Sequence, residues 1–554
     1  MKKILALCVT ILSGASAWGQ HALLPFNEDV YHQIDRLVIR HQPGEYGFQG
    51  VAKPYSRHQV AGLLGEVTPS HRVDQFQWEY LALDNWDQMD SLPMRESKPF
   101  LRYFYREPAD FFSTKKKDFF VNVNPVVHLG TGISPGDTSF LFRNTRGVEV
   151  RGSVDGKVSF YTIMADNQAV WQSYIRDRID SVGVVPGFGF WKPFGDNGAD
   201  FFLARGHIAV PVTKHIQLSA GHERQFFGHG YRSMIWSDFA PPSLYLRADT
   251  RIWKVRYTNV FTQMTADVVR NPQGGLIATP FTHKMVAFHH LTVNLSPTFQ
   301  GSVFEMVIEG TDSVNNSFTL NYFNPIIFYR ALEQQGGSTG NVLLGLDFKW
   351  DLWRSLRLYG QFMLDEFLLS EVRAQRGWWG NKYGAQLGFK YIDVFGVPGL
   401  DLQSEVNWAR PFTYTHINNY TSATHYWQPM AHPLGANFEE VVGLIRYQPT
   451  PRLQIIAKGM AARYGTDSTG SNFGTNLLLN YDTRNREYNN EIGQGVPVLW
   501  ALGELRVNYM MWHQCFLELH ARLRYLNQEG KAPDQQAYVG VQVRWSLPYR
   551  PMDF

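Results

Sequence analysis

The spacing of hydrophobic positions changes along the chain, and the change falls near residue 118. In the N-terminal part, Val30, Ile34, Leu37 and Val38 recur at the interval of one helix face. Asn27 stands where a cap belongs, with Glu28 and Asp29 in the first turn. Ser56 is placed to cap a second helix carrying Val60, Leu63 and Leu64, and Phe76, Tyr80 and Leu83 mark a third. Pro25, Pro43, Pro54, Pro69 and Pro93 punctuate the segment. Residues 20–117 therefore read as a small helical subdomain.

After Lys115-Lys116-Lys117 the period becomes 2. Leu517, Leu519, Ala521, Leu523 and Tyr525 alternate with Glu518, His520, Arg522 and Arg524. Val539, Val541, Val543, Trp545 and Leu547 alternate with Gln542, Arg544 and Ser546, and Leu402, Val406 and Trp408 with Gln403, Glu405 and Asn407. Leu356, Leu358, Phe362 and Leu364 form an apolar set broken by Arg357, Gln361 and Asp365. Strict alternation gives a strand one apolar and one polar face. A soluble sandwich and a membrane barrel both satisfy this, with opposite faces wet. Three features favour the barrel. Aromatics gather near strand ends, at Trp350 and Trp353, Trp378-Trp379 and Trp545; long polar segments such as 467–494 separate strands; and Phe554 closes an aromatic, alternating C-terminal stretch, although Pro548 and Pro551 interrupt it. The expected fold is all-β: a large antiparallel transmembrane barrel over residues 118–554. Some 435 residues allow roughly 16–20 strands, and 18 is the favoured even number.

Composition narrows the class. Lys2 and Lys3, the apolar run Ile4–Leu12 and Ala15-Ser16-Ala17 have the order of a secretory signal, cut after Ala17 or Gly19. Residues 1–19 are thus expected to be removed on export to the outer membrane of a Gram-negative cell. No later run supplies the about 20 apolar residues of a transmembrane helix, and mean hydropathy is −0.27. A net charge of +3 is too small to argue for nucleic acid. Cys515 is the one cysteine left after cleavage and reads as a small apolar residue.

Candidate chemistry is sparse. His289-His290 lacks metal-ligand spacing, and Gly336-Gly337-Ser338 has no following Lys-Ser/Thr for a phosphate loop, so neither metal nor cofactor is expected. Asp365-Glu366 are neighbours on a strand and point to opposite faces, which disfavours a glycosidase pair. His222 and Arg224 are expected to share an inward face without Glu223, with Arg224 paired to a carboxylate such as Asp365 or Asp249. A sugar-binding alternative uses planar polar side chains beside aromatic rings, and residues 222–238 offer both. The candidate set for polysaccharide binding or a lumen network is His222, Arg224, Tyr231, Arg232, Trp236, Asp238, Arg247, Asn324, Arg330 and Asp365.

Three blocks stand out from the alternating background: residues 221–242, beginning Gly221-His222-Glu223-Arg224-Gln225-Phe226-Phe227-Gly228-His229-Gly230; residues 324–330, Asn324-Pro325-Ile326-Ile327-Phe328-Tyr329-Arg330, leading to Gly345-Leu346-Asp347; and residues 359–367, Tyr359-Gly360-Gln361-Phe362-Met363-Leu364-Asp365-Glu366-Phe367. In these blocks and their order the chain resembles the capsule assembly protein Wzi family, in particular its RemB-like Bacteroidetes branch. The resemblance implies an outer-membrane barrel of about eighteen strands with a periplasmic helical bundle. It also implies a non-enzymatic role in attaching or organising capsular polysaccharide. The implied partners are surface polysaccharide, outer-membrane lipid and, for a motility or secretion role, other envelope proteins; a monomer is expected. A porin-like channel and a structural part of gliding or secretion machinery are the competing roles. A plugged lumen would favour the first reading and an aqueous one the channel.

Overall fold

In the computed structural model, residues 22–69, 71–89, 104–105, 107–266, 282–310, 323–328 and 340–554 are described; the expected signal segment lies outside them. Eighteen long strands, from Phe119–Ile133 to Asp534–Trp545, pair antiparallel in chain order and close when the last joins the first. Two short pieces, Phe112–Lys115 and Lys192–Phe194, extend the sheet. The sheet therefore starts at Phe112, inside the stretch expected to be helical, because these residues pair with Phe120–Val123 across a tight turn through Lys116 and Lys117.

The alternation sorts faces in the membrane sense. Leu519 and Leu523 on the outer wall are 56% and 66% exposed, while Glu518 and Arg522, each just before one of them, are 0% and 5% exposed. Val539, Val541, Leu499 and Leu505 are likewise outward and exposed. A soluble protein does not expose a continuous apolar band and bury its charges, because that arrangement forfeits the hydrophobic term and adds a desolvation cost. Lipid around the wall removes both objections. Among the described residues, no helix is long and apolar enough to cross a membrane.

The two rims differ. At one, strands are joined by a few residues, as at 212–215, 253–254, 451–452 and 513–514; at the other stand long segments such as 171–197, 410–437 and 467–495. Trp253 and Trp353 project from short turns, 69% and 79% exposed, as an interfacial girdle requires. Trp378-Trp379 does not belong to such a girdle. Trp379 is buried in the long-segment rim, with Arg484 stacked 4.2 Å from its ring centroid.

Three helices fill the short-turn mouth: α1 (Glu28–His41), α2 (Arg57–Glu66) and α3 (Arg72–Asp84). Asn27 caps α1 by accepting from the Asp29 N–H at 3.2 Å, and Ser56 caps α2 by accepting from the Gln59 N–H at 3.2 Å. Ile34, Leu37 and Val38 join Val60, Leu64, Tyr80 and Leu81 in one apolar core. The polar side of α1 is buried as well, because it meets the charged inner wall. Arg506 pairs with Asp29 at 3.0 Å, and Asp35 takes Arg357 at 2.5 Å and Lys390 at 2.6 Å. Arg36 reaches Asp401 and, at 2.8 Å, Asp74. The helices are thus wired to the wall by charge, and to one another by apolar contact and the Arg36–Asp74 pair.

Candidate functional site

Above the helices, residues 224–242 leave the wall and fold into the lumen. Ala52–Lys53 pairs antiparallel with Phe226–Phe227, joining this segment to the helical part. Gly228 and Gly230 allow the close approach: a Cβ at Gly228 would lie 2.5 Å from Gln361 Nε2, and one at Gly230 would lie 2.6 Å from both Gln386 Oε1 and Glu405 Oε2. Those wall side chains hold the backbone. Glu405 accepts from the N–H groups of Tyr231 and Arg232, both at 2.8 Å, and Gln361 accepts from the Met234 N–H at 2.7 Å.

Arg232 is the centre of the segment. It is buried, and its guanidinium pairs with Asp553 at 3.1 Å and Glu440 at 3.3 Å and donates to the Asp553 carbonyl at 2.6 Å. Lys458 adds a second cation to Asp553 at 2.7 Å, and His432 meets Glu440 at 2.7 Å. Burial alone would raise the Asp553 carboxyl; Arg232 and Lys458 outweigh it and hold that pKa at about 2. Tyr231 donates its hydroxyl to Asp553. Trp236 is buried against Phe227 and, edge-on, Phe288 at 5.7 Å. Asp238 pairs with Arg550 at 2.7 Å. These four residues expected to meet sugar are occupied in packing the lumen.

The other candidates scatter. His222 points outward, not inward, and Glu223 is the inward member, paired with Arg205 at 3.0 Å. The strand Ile216–Glu223 ends there, so its alternation does not extend to Arg224; Leu218 and Ala220, both exposed, already set the parity that carries His222 outward. Arg224 meets neither Asp365 nor Asp249. It donates to the Gly187 carbonyl at 2.5 Å and stacks on Phe188. Arg247 and Arg256 share Asp249, at 2.7 and 2.8 Å. Asp365 is paired with Lys382 at 3.3 Å and accepts from the Tyr414 N–H. Asn324 accepts from the Ile326 N–H in its own segment, and Arg330 lies outside the described residues.

The segment after the last strand supplies a second correction. Phe554 does not end a lipid-facing strand. Residues 546–554 turn back at the short-turn rim and run through the lumen, so that Phe554 packs near Tyr174 and Phe239 at the opposite side.

The long-segment rim holds a cleft of about 700 Å³, within the range of small-ligand sites. Its aromatic lining is Tyr174, Trp427, Tyr464 and Phe554, and its polar lining includes Arg178, Arg524, Thr466 and Asn476. Leu434 and Leu477 line it as well, Leu477 being buried in the lumen core. Asp467 pins one wall by accepting from the N–H groups of Phe473 at 2.5 Å and Asn476 at 2.8 Å. Arg524 lies 4.6 Å from the Tyr174 ring centroid and pairs with Asp534 at 2.8 Å. Arg178, on the helix Ser173–Val182, has no carboxylate at ion-pairing distance among the described residues, and burial pushes its guanidinium below its ordinary value. None of the described candidates from the sequence lines this cleft. Its residues come mostly from non-repeating segments. Arg524 was legible on the polar face of its strand, and Tyr464 is an inward-facing aromatic at the outer end of another.

No family model and no curated protein matches the chain. Among solved structures it is similar to Wzi of Escherichia coli, described as an outer membrane protein involved in group 1 capsule assembly and a carbohydrate-binding β-barrel. The TM-score is 0.57 at 16% identity, with 95% of this chain and 100% of that chain covered. The fold is Wzi-like. Weaker likenesses are to OprD of Pseudomonas aeruginosa (TM-score 0.41, 10% identity, 77% of this chain and 94% of that one) and OccAB2 of Acinetobacter baumannii (0.41, 8%, 77% and 98%).

Proposed function

We propose that this chain is an outer-membrane barrel that binds surface polysaccharide of the capsular type at the cell exterior, without chemical turnover. The carrying observation is the cleft at the long-segment rim, set over a lumen packed with side chains. Short turns face the periplasm and long loops the exterior in outer-membrane barrels, so the cleft opens outward and the helices sit on the periplasmic side. Sugar rings present flat C–H faces to aromatic side chains and hydroxyl pairs to planar polar groups. Tyr174, Trp427 and Tyr464 beside Arg178, Arg524 and Asn476 supply both. The Wzi-like fold supports the same reading, since Wzi is described as carbohydrate-binding.

The test is binding of the purified, detergent-solubilised protein to immobilised capsular polysaccharides and lipopolysaccharides, the host's own included. Saturable binding by the wild type is expected, with Trp427→Ala and Tyr464→Ala each weakening it at least severalfold and Trp236→Ala acting through stability. Binding that survives both cleft substitutions, or no binding to any glycan, refutes the reading.

A further inference from the structure

Four cavities follow one another across the barrel, and residues 547–554 line all of them. The first, at the short-turn side, touches Leu547 and Pro548; the second touches Leu547 through Arg550; the third touches Tyr549, Arg550 and Met552; the fourth is the outer cleft, touched by Phe554. The first three share lining residues, Leu547 and Pro548 between the first two and Arg143, Tyr549 and Arg550 between the second and third; the third and fourth share none and are linked by the segment itself, through Met552 and Phe554. The inner three measure about 50, 20 and 70 Å³, room for water but for nothing larger.

The segment is also held to the wall by side-chain contacts and by no strand pairing. Residues 547–554 pair with no strand, and Pro548 and Pro551 contribute no N–H to a ladder. Side chains hold it: Arg550 to Asp238 at 2.7 Å, Tyr549 to Glu504 at 3.1 Å, Asp553 to Arg232 and Lys458, and the Met552 carbonyl to the Tyr174 hydroxyl at 2.6 Å. Displacing it therefore breaks no backbone ladder.

The wall left behind is basic at the third cavity, whereas Asp84 and Glu149 line the first, Asp238 the second and Asp467 the fourth. Arg143 and Arg224 line the cavities, and neither has a carboxylate within ion-pairing distance among the described residues. Arg143 donates to the Thr145 hydroxyl at 3.3 Å and Arg224 to the Gly187 carbonyl at 2.5 Å. His128, His520 and Arg522 extend the same lining, the last two paired with Glu504 at 3.2 and 2.7 Å, and among the described residues no acidic side chain lines the third cavity. Unpaired buried guanidiniums favour anions.

We infer that the barrel is a latent conduit for small inorganic anions, closed by the segment 547–554. This is a second activity, independent of the glycan reading. The segment threads the gap between the inner wall and the lumen packing, and its withdrawal joins the four cavities into one path.

The experiment is single-channel recording in planar bilayers across a KCl gradient, with folding verified by heat-modifiable electrophoretic mobility. Three proteins are compared: the wild type, a variant lacking 547–554, and the full-length double variant Arg550→Gln/Asp553→Asn, which loosens the segment while keeping it. The wild type is expected to be silent. The deletion should give discrete steps whose reversal potential favours Cl⁻ over K⁺, and the double variant brief openings of the same sign. A folded deletion protein that stays silent, or conducts with cation preference, overturns the inference. So does a wild type that conducts as steadily as the deletion. If the deletion does not fold, silence of the folded double variant overturns it.

Discussion

Replacing Arg232 separates a structural pin from a sugar-binding residue. The Arg232→Ala change leaves two buried carboxylates without their guanidinium, Glu440 and Asp553. Breaking a buried pair typically costs about 3–5 kcal/mol, because the remaining charge stays desolvated. Here each carboxylate keeps another partner, His432 at 2.7 Å for Glu440 and Lys458 at 2.7 Å for Asp553. The lower end, about 3 kcal/mol, is therefore the expected loss. The backbone bonds from Tyr231 and Arg232 to Glu405 survive, since they need no side chain at position 232. Arg232→Lys restores charge but not the fork that spans both carboxylates, and should recover part of the loss. Urea unfolding in detergent, followed by tryptophan fluorescence and heat-modifiable mobility, gives the stability; glycan binding is measured on the same samples well below the transition. The expected result is a lower midpoint with binding per folded molecule close to wild type. An unchanged midpoint with binding abolished would show that Arg232 contacts ligand and that its buried network carries no stability.

Other consequences follow from the same packing. Leu519→Arg, on the 56% exposed outer wall, should cost up to about 2–4 kcal/mol in lipid and cut the heat-modifiable fraction after refolding into bilayers; a neutral effect would contradict a lipid-facing wall. Gly230→Ala places a methyl 2.6 Å from Glu405 Oε2 and Gln386 Oε1 and should lower stability by about 1–3 kcal/mol, read as a shift in the urea midpoint. Lys53 is buried over Phe226, 4.5 Å from its centroid, and burial pushes its pKa from 10.5 down to about 7. The unfolded chain then binds more protons than the native one between pH 7 and 10.5, so this group's contribution to stability rises with pH across that window and levels off outside it. Lys53→Met should be more stable than wild type at pH 6 and show a flatter rise from pH 7 to 10; equal slopes would refute the assignment.

Much of the scaffold was written locally. Period-2 alternation at Leu517–Arg524 or Leu402–Trp408 marks strands from neighbours alone, and charge on the other face of each identifies a polar interior once the apolar face is known to be outside. Asn27 and Ser56 cap α1 and α2 because a cap is a contact over two or three residues. What fills the barrel was not local. Residues 224–242 and 546–554 have no period, and their places are set by partners hundreds of residues away, as when Arg232 finds Glu440 and Asp553. The aromatic and basic residues of 222–238 have the composition of a sugar site, yet composition does not say whether a guanidinium faces a ligand or a carboxylate of its own wall. Phe554 has the residue type expected at a strand end, and only the return of the chain into the lumen puts it in the cleft. The sequence by itself determined the strands, the two faces of each and the helical lead, because each depends on side-chain period or on a near neighbour. The tertiary structure alone decided that the lumen is packed and that the aromatic cleft lies among the long segments, because those depend on which distant charges and rings meet when the wall closes.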